Sequence, residues 1–221
     1  MPITLCKGSD VKTIIRSLPT EQIEHMIHVG AFVSVMTQKI CDYSIYSEIS
    51  EAKGCQQFGN AAFYHDIGKA YIPQEILLKS NRLTPEEFRM VQKHPVFAKE
   101  LFLLINRGEV SGMPAHLLPL AHDSAVYHHE WWNGNGYPYG ICRKDIPLIA
   151  RITAICDAYD AITNDRVYRR AHTHCYACRE LEINAGTQFD PTLIKVFLDN
   201  ESAFLALAKN DDRFNYFQCL A

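Results

Sequence analysis

Apolar residues recur at helical spacing along most of the chain, and no alternating run is long enough to suggest a sheet. Val11, Ile14, Ile15 and Leu18 share one face of a short helix predicted over Asp10 to Leu18, which Pro19 ends. Thr20 is a candidate N-cap for a long second helix to about Cys41, with Ile23, Met26, Ile27, Phe32, Val33, Met36 and Ile40 as its apolar residues. A polar and aromatic connection follows from Asp42 to Ser50, and a third helix runs from about Glu51 through Tyr64 into His65-Asp66. Gly68 reads as its C-cap. Pro73 opens a short turn holding Ile76, Leu77 and Leu78. Thr84-Pro85-Glu86-Glu87 combines an N-cap, a first-turn proline and a capping-box Glu. The helix it starts is expected to stop near His94-Pro95, and another spans about Phe97 to Asn106. After the loop from Gly108 to Gly112, the pattern predicts helices over Pro114 to His129, Leu148 to Thr163, Thr173 to Ala185 and Pro191 to Ala208. The glycine- and proline-bearing stretch from Trp131 to Pro147 reads as a structured loop. The expected class is all-α, with eight or more helices; the tail from Asn210 to Ala221 carries no readable pattern.

Bulk properties narrow the function. At 221 residues, nearly half of them apolar, the chain can bury a sizeable core. A net charge of −3 gives no general attraction to a nucleic-acid polymer or an anionic membrane. Apolar runs such as Leu101 to Ile105 are too short to span a bilayer, and the first residues lack the order of a signal peptide, so a cytoplasmic location without membrane insertion is expected. Eight scattered cysteines in a chain of this kind are expected to be reduced. Cys175 and Cys178, preceded by His172 and His174, form one Cys-x-x-Cys; no second pair follows at zinc-finger spacing, so core cysteines on a helix compete with a small zinc site.

Five places carry metal chemistry. His65 and Asp66 are adjacent, with Lys69 close enough to meet a phosphate. Glu21 and His25 lie one turn apart on one helix face; the four-residue offset selects His25 over His28. His94 stands beside Pro95, and His128 and His129 precede the glycine-rich loop. Asp157 sits within an apolar helix, where an uncompensated carboxylate costs several kcal/mol. Singly, each has an ordinary explanation as a helix-end charge, a hydrogen-bonded histidine or a solvent-facing acid. Together they make five imidazoles and three carboxylates with no thiolate, a set that suits iron or manganese, with zinc or nickel as alternatives. Eight donors exceed one ion, so two or three divalent ions are implied.

The chain resembles the HD-GYP domains, a branch of the HD phosphohydrolases. The matching residues are His65-Asp66-Ile67-Gly68-Lys69, Lys93-His94-Pro95, His128-His129-Glu130, Gly136-Tyr137-Pro138, Ile146 through Ile152, Asp157 to Ala161 and Gly186 to Pro191, in the family's order, within a stretch from about Glu21 to Phe197. The resemblance implies an HD-domain helical bundle with a GYP loop, spanning 20–200 between an N-terminal extension, 1–19, and a C-terminal one, 201–221. It implies hydrolysis of cyclic di-GMP to linear pGpG, GMP or both. His65, Asp66, His94, His128, His129 and Asp157 would be ligands, with Asp66 bridging and Glu21 and His25 serving a third ion. Lys69, Arg166 and Arg169 would hold substrate phosphates, and Gly136, Tyr137 and Pro138 would form a substrate-side loop that also suits a protein signalling partner. The loop departs from the family's usual Arg and Asp at Trp131 and Asn133. That departure keeps open a non-catalytic cyclic-dinucleotide sensor or docking module, alongside an HD phosphohydrolase for another cyclic dinucleotide or nucleotide. No receiver or sensor domain precedes the HD region, so no input signal is expected from this sequence.

Overall fold

The computed structural model describes residues 8–41, 43, 52–165 and 170–209, with 52–55 as backbone only. Among these residues the secondary structure is helical, and the only β-pairing is the isolated bridges Asp10 to Ser111 and Ala185 to Phe189. The order is α1 (Val11–Arg16), α2 (Thr20–Cys41), α3 (Ala52–Ala62), a 3-10 segment (Phe63–Tyr71), α4 (Gln74–Leu77), α5 (Pro85–Val91), α6 (His94–Asn106), α7 (Leu118–Tyr127), a 3-10 turn (Arg143–Asp145), α8 (Leu148–Thr163), α9 (His174–Ile183), α10 (Pro191–Asp199) and α11 (Glu201–Lys209). No helix is long and apolar enough to cross a membrane.

The long α2 is the axis of the bundle. Its Met26, Val29, Phe32, Val33, Met36 and Ile40 are fully buried, and α3, α8 and the 3-10 segment pack around it. Burying each such side chain contributes about 1.5–3 kcal/mol, which is why the 3.6-residue apolar repeat suffices to orient α2. Val11 of α1 and Phe204 of α11 enter the same core.

Several boundaries differ from those the sequence predicts. The capping box is present, with Glu87 N donating to Thr84 Oγ1 and Thr84 N to the Glu87 carboxylate. The helix it starts ends at Val91, and His94 opens the next helix, because Pro95 fits a first turn where its missing N–H is not needed. The helix expected over 114–129 begins only at Leu118, and His128 is its C-cap. The helix expected over 191–208 is broken at Asn200, whose side chain donates to the Val196 carbonyl and competes with the helical ladder. Gly68 is not a C-cap: it lies inside the 3-10 segment and has no positive φ. Its role is close approach, since a Cβ there would stand 2.0 Å from the His94 carbonyl oxygen and 2.8 Å from Ala98 N. Tightening from α to 3-10, rather than a glycine stop, turns the chain after Ala62.

Candidate metal centre

Five segments deliver the donors. The 3-10 segment carries His65 and Asp66, the first residue of α6 is His94, the end of α7 supplies His128 and His129, α8 supplies Asp157 and α2 supplies His25. They form two groups, Asp66 with His94, His128 and His129, and His25 with His65 and Asp157; within each group one donor atom per residue lies within 4.8 Å of the others.

Backbone carbonyls fix the rings. His65 Nδ1 lies 3.0 Å from the Ala62 oxygen, His94 Nδ1 2.8 Å from that of Val91, and His128 Nδ1 2.9 Å from that of Ser124. A carbonyl only accepts, so each Nδ1 donates and each Nε2 turns a lone pair inward. For His25 a carboxylate does this work: Asp160 Oδ2 stands 2.6 Å from its Nδ1. Nε2 to Nε2 distances are 3.4 Å for His94 to His128, where lone pair faces lone pair, and 3.4 Å for His25 to His65; without an ion, His25 Nε2 donates to Asp157 Oδ1 at 3.1 Å. Two acceptors at that distance repel. Two imidazole nitrogens bound to one tetrahedral ion at about 2.0–2.1 Å stand about 3.4 Å apart, so a shared cation fits both pairs.

Asp66 lies between the groups. Its Oδ1 is 3.2 Å from His94 Nε2 and 3.9 Å from His128 Nε2; its Oδ2 is 3.3 Å from His65 Nε2 and 3.6 Å from His25 Nε2. Oδ2 accepts from Gln22 Nε2 at 2.8 Å and Lys69 Nζ at 2.6 Å, whereas Oδ1 is buried and receives no hydrogen bond. A buried polar atom left without a donor costs about 1–3 kcal/mol, more when charged, and a cation relieves it.

The electrostatics agree with a ligand pocket. Burial works against the Asp66 carboxylate, but Lys69, His65 and His94 outweigh it and hold the group well below the usual carboxylate range. Burial pushes His94 down to about 3 and His129 down to about 4, so both rings are neutral donors. For Asp157, burial is outweighed by the hydrogen bond and charge of His25, again giving an ionised acid at neutral pH.

The remaining sequence-derived residues are placed as follows. Glu21 lies outside both groups and lines an adjoining cavity of about 440 Å³ with Gln22, His25, His28, Lys69 and Asp160; Ile76, Leu77, Leu83 and Val91 form its apolar side. Lys69 reaches this cavity while paired with Asp66. Gly136 lets the loop close on the backbone, since a Cβ would stand 2.2 Å from Trp131 N and 2.5 Å from His129 O. Tyr137 then donates its N–H to His129 O and stacks its ring on His129 at 4.7 Å, followed by the cis peptide to Pro138. Arg166 and Arg169 lie outside the described residues. Trp131 and Asn133 belong to neither donor group; the Asn133 side chain accepts from Asn135 N within the loop.

Two supporting residues carry roles that the sequence pattern does not assign. Asp160 orients His25 and also accepts from His28 Nδ1 at 3.2 Å, and Gln22 braces Asp66 and Lys69. Asp160 had a signal in its i,i+3 spacing from Asp157; the deeper acid is Asp160, at 2% side-chain exposure against 20% for Asp157. Gln22 had none, because the side of α2 that meets the 3-10 segment is a tertiary fact.

This helical bundle, with its histidines and aspartates converging from distant segments, belongs to the HD domain family, whose pattern matches residues 18–193. The HD-GYP resemblance stands within it. The chain is 36% identical over 186 residues to a "Probable cyclic di-GMP phosphodiesterase" of Vibrio cholerae, covering 84% of this chain and 42% of that protein. It is 36% identical over 148 residues to a "3'3'-cGAMP-specific phosphodiesterase 2" of Vibrio cholerae, covering 67% of this chain and 27% of that protein. Among solved structures, the Bdellovibrio bacteriovorus HDGYP protein Bd1817 superposes with a TM-score of 0.55 at 20% identity, covering 79% of this chain and 51% of that one. The chain thus spans less than half the length of the two relatives.

Proposed function

We propose that this chain is a metal-dependent phosphodiesterase acting on a cyclic dinucleotide, cyclic di-GMP first, with linear pGpG, GMP or both as products. The observation that supports it is Asp66 between two donor groups, one oxygen bearing no hydrogen bond and inward-facing imidazole nitrogens on either side. His94, His128 and His129 would share one ion with Asp66, and His25, His65 and Asp157 would hold a second; Glu21, on the cavity wall beside His25, is where a third would be met. Bound divalent iron or manganese would supply Lewis acidity toward a phosphoryl oxygen and a water acidic enough to attack at neutral pH.

The chain's own residues do the rest. Tyr137 holds His129 by stacking, and carbonyls hold the rings of His65, His94 and His128, so ligation requires little reorganisation. Lys69 places a cation at the cavity, anchored by Asp66 and Gln22, where a substrate phosphate would compete for it. By the family resemblance, Arg166 and Arg169 would add charge for the second phosphate. Exposed Tyr139, past the Gly136-Tyr137-Pro138 turn, offers a contact for a protein signalling partner.

The test is turnover by anaerobically purified protein loaded with iron or manganese. Cyclic di-GMP and the mixed guanine–adenine cyclic dinucleotide are supplied in parallel, and linear dinucleotide and mononucleotide are quantified. Asp66→Ala is expected to lose both metal and turnover. Full activity in that variant refutes the proposal. Tight binding without hydrolysis by fully loaded protein would favour the sensor reading motivated by Trp131 and Asn133.

A further inference from the structure

Beyond the groups around Asp66, one more convergence of donors occurs among the described residues, on the side of the bundle where α9 meets α11. His174 and Cys178 are four apart on α9 and therefore share a face. Cys178 Sγ lies 3.5 Å from His174 Nε2, and the same nitrogen lies 3.6 Å from Glu201 Oε2, at the first residue of α11. A tetrahedral zinc ion, with bonds of about 2.3 Å to sulfur and 2.0–2.2 Å to nitrogen and oxygen, spaces its sulfur and nitrogen donors about 3.5 Å apart and its nitrogen and oxygen donors about 3.4 Å apart. The spacings from Nε2 are those of donors sharing one ion; Sγ also lies 3.8 Å from Nδ1, beside the ring, so the Cys178 side chain would turn toward Nε2 on loading. The other ring nitrogen is also held: His174 Nδ1 lies 2.9 Å from the hydroxyl of the fully buried Tyr159, the kind of outer partner that fixes a ligating imidazole.

We propose that His174, Cys178 and Glu201 form a second, thiolate-bearing site for a borderline divalent transition metal such as zinc, with a solvent-facing fourth position. Loading it replaces the Cys178 S–H bond by a sulfur–metal bond and releases the proton to solvent. Cys178 is buried and Glu201 half-exposed, so the ion would clamp the start of α11 to α9 from the surface inward. Exposed Cys175, the other half of the Cys-x-x-Cys, is not in the group. Tyr159 ties the site to α8, where Asp157 and Asp160 lie two residues before it and one after.

The donors around Asp66 include no sulfur, so a thiolate-to-cobalt charge-transfer band distinguishes this site from that centre, and the Cys178→Ser variant distinguishes it from the other cysteines. The reduced full chain is titrated with cobalt(II) and followed by absorption. A band saturating at one thiolate-bound cobalt per chain is expected. It should persist in Asp66→Ala, which separates this site from the proposed catalytic centre, and in Cys175→Ser. It should vanish in Cys178→Ser, and His174→Ala and the surface change Glu201→Gln should each weaken cobalt at least tenfold, with circular dichroism confirming the fold. Absence of the band from the native chain, an undiminished band in Cys178→Ser, or native affinity in both His174→Ala and Glu201→Gln would overturn the proposal.

Discussion

His25 takes its orientation from one side chain. Asp160 accepts from its Nδ1 and so aims Nε2 at His65 and Asp157. Asp160→Asn removes the charge that makes that acceptor strong. Metal affinity at the His25, His65 and Asp157 group is expected to fall about 10–100-fold while the group around His94 stays loaded. Calorimetric metal titration checks this, and native affinity at both sets would contradict it. The histidines also make the metal-free protein acid-sensitive. His94 and His129 are depressed from 6.5 to about 3 and about 4. Below 6.5 and above those depressed values the unfolded chain binds protons that the folded chain refuses, so stability falls as pH drops below 6.5. Burial opposes the Asp160 charge, but His25 and His28 hold this acid at about 2, so the stability it adds above 3.8 is lost as pH falls toward about 2, the same sign. A tenfold difference in proton affinity between the folded and unfolded chain is worth about 1.4 kcal/mol. The melting temperature of chelator-treated protein should therefore decline steadily on acidification from neutrality; a flat profile down to about pH 4 would rule this out.

Among the elements, the contact between the 3-10 segment and the first turn of α6 decides whether the centre assembles. Gly68 permits it, with the His94 carbonyl oxygen where a Cβ would go. Both partners are backbone, so Gly68→Ala must push α6 away, costing about 1–3 kcal/mol by overpacking and displacing His94 from Asp66. A lower melting temperature together with loss of metal from the His94 group is expected. A variant that keeps both would show that α6 can slide without consequence. The capping box at Thr84 was fully legible because its donors and acceptors lie three residues apart. The start of α6 was not legible, because Pro95 suits the residue after a helix end and the first turn of a new helix alike, and only the packing of His94 against Gly68 chooses between them.

Over the whole molecule, the bundle closes where α11 returns to α2. Phe204 is fully buried, 4.3 Å from Phe197 and 6.1 Å from Phe32 between ring centroids. Phe204→Ala should cost about 3–5 kcal/mol and lower the melting temperature by roughly 6–20 °C, leaving the donors around Asp66 in place. Unchanged melting would mean that α11 does not seal the core. The apolar repeat alone determined that the chain is helical and which faces turn inward, because a 3.6-residue period is a local property of the covalent chain. His65, Asp66, His94, His128, His129 and Asp157 could be singled out through their match to a known family's motifs, and the structure gathers them with His25 into two groups. Only the tertiary structure decided that Asp160 and Gln22 complete the centre, that Glu21 stands aside on the cavity wall, and that Cys178 meets His174 and Glu201 rather than Cys175. Those choices depend on which face of one helix meets another across long sequence separations, and no pattern within a single helix encodes that.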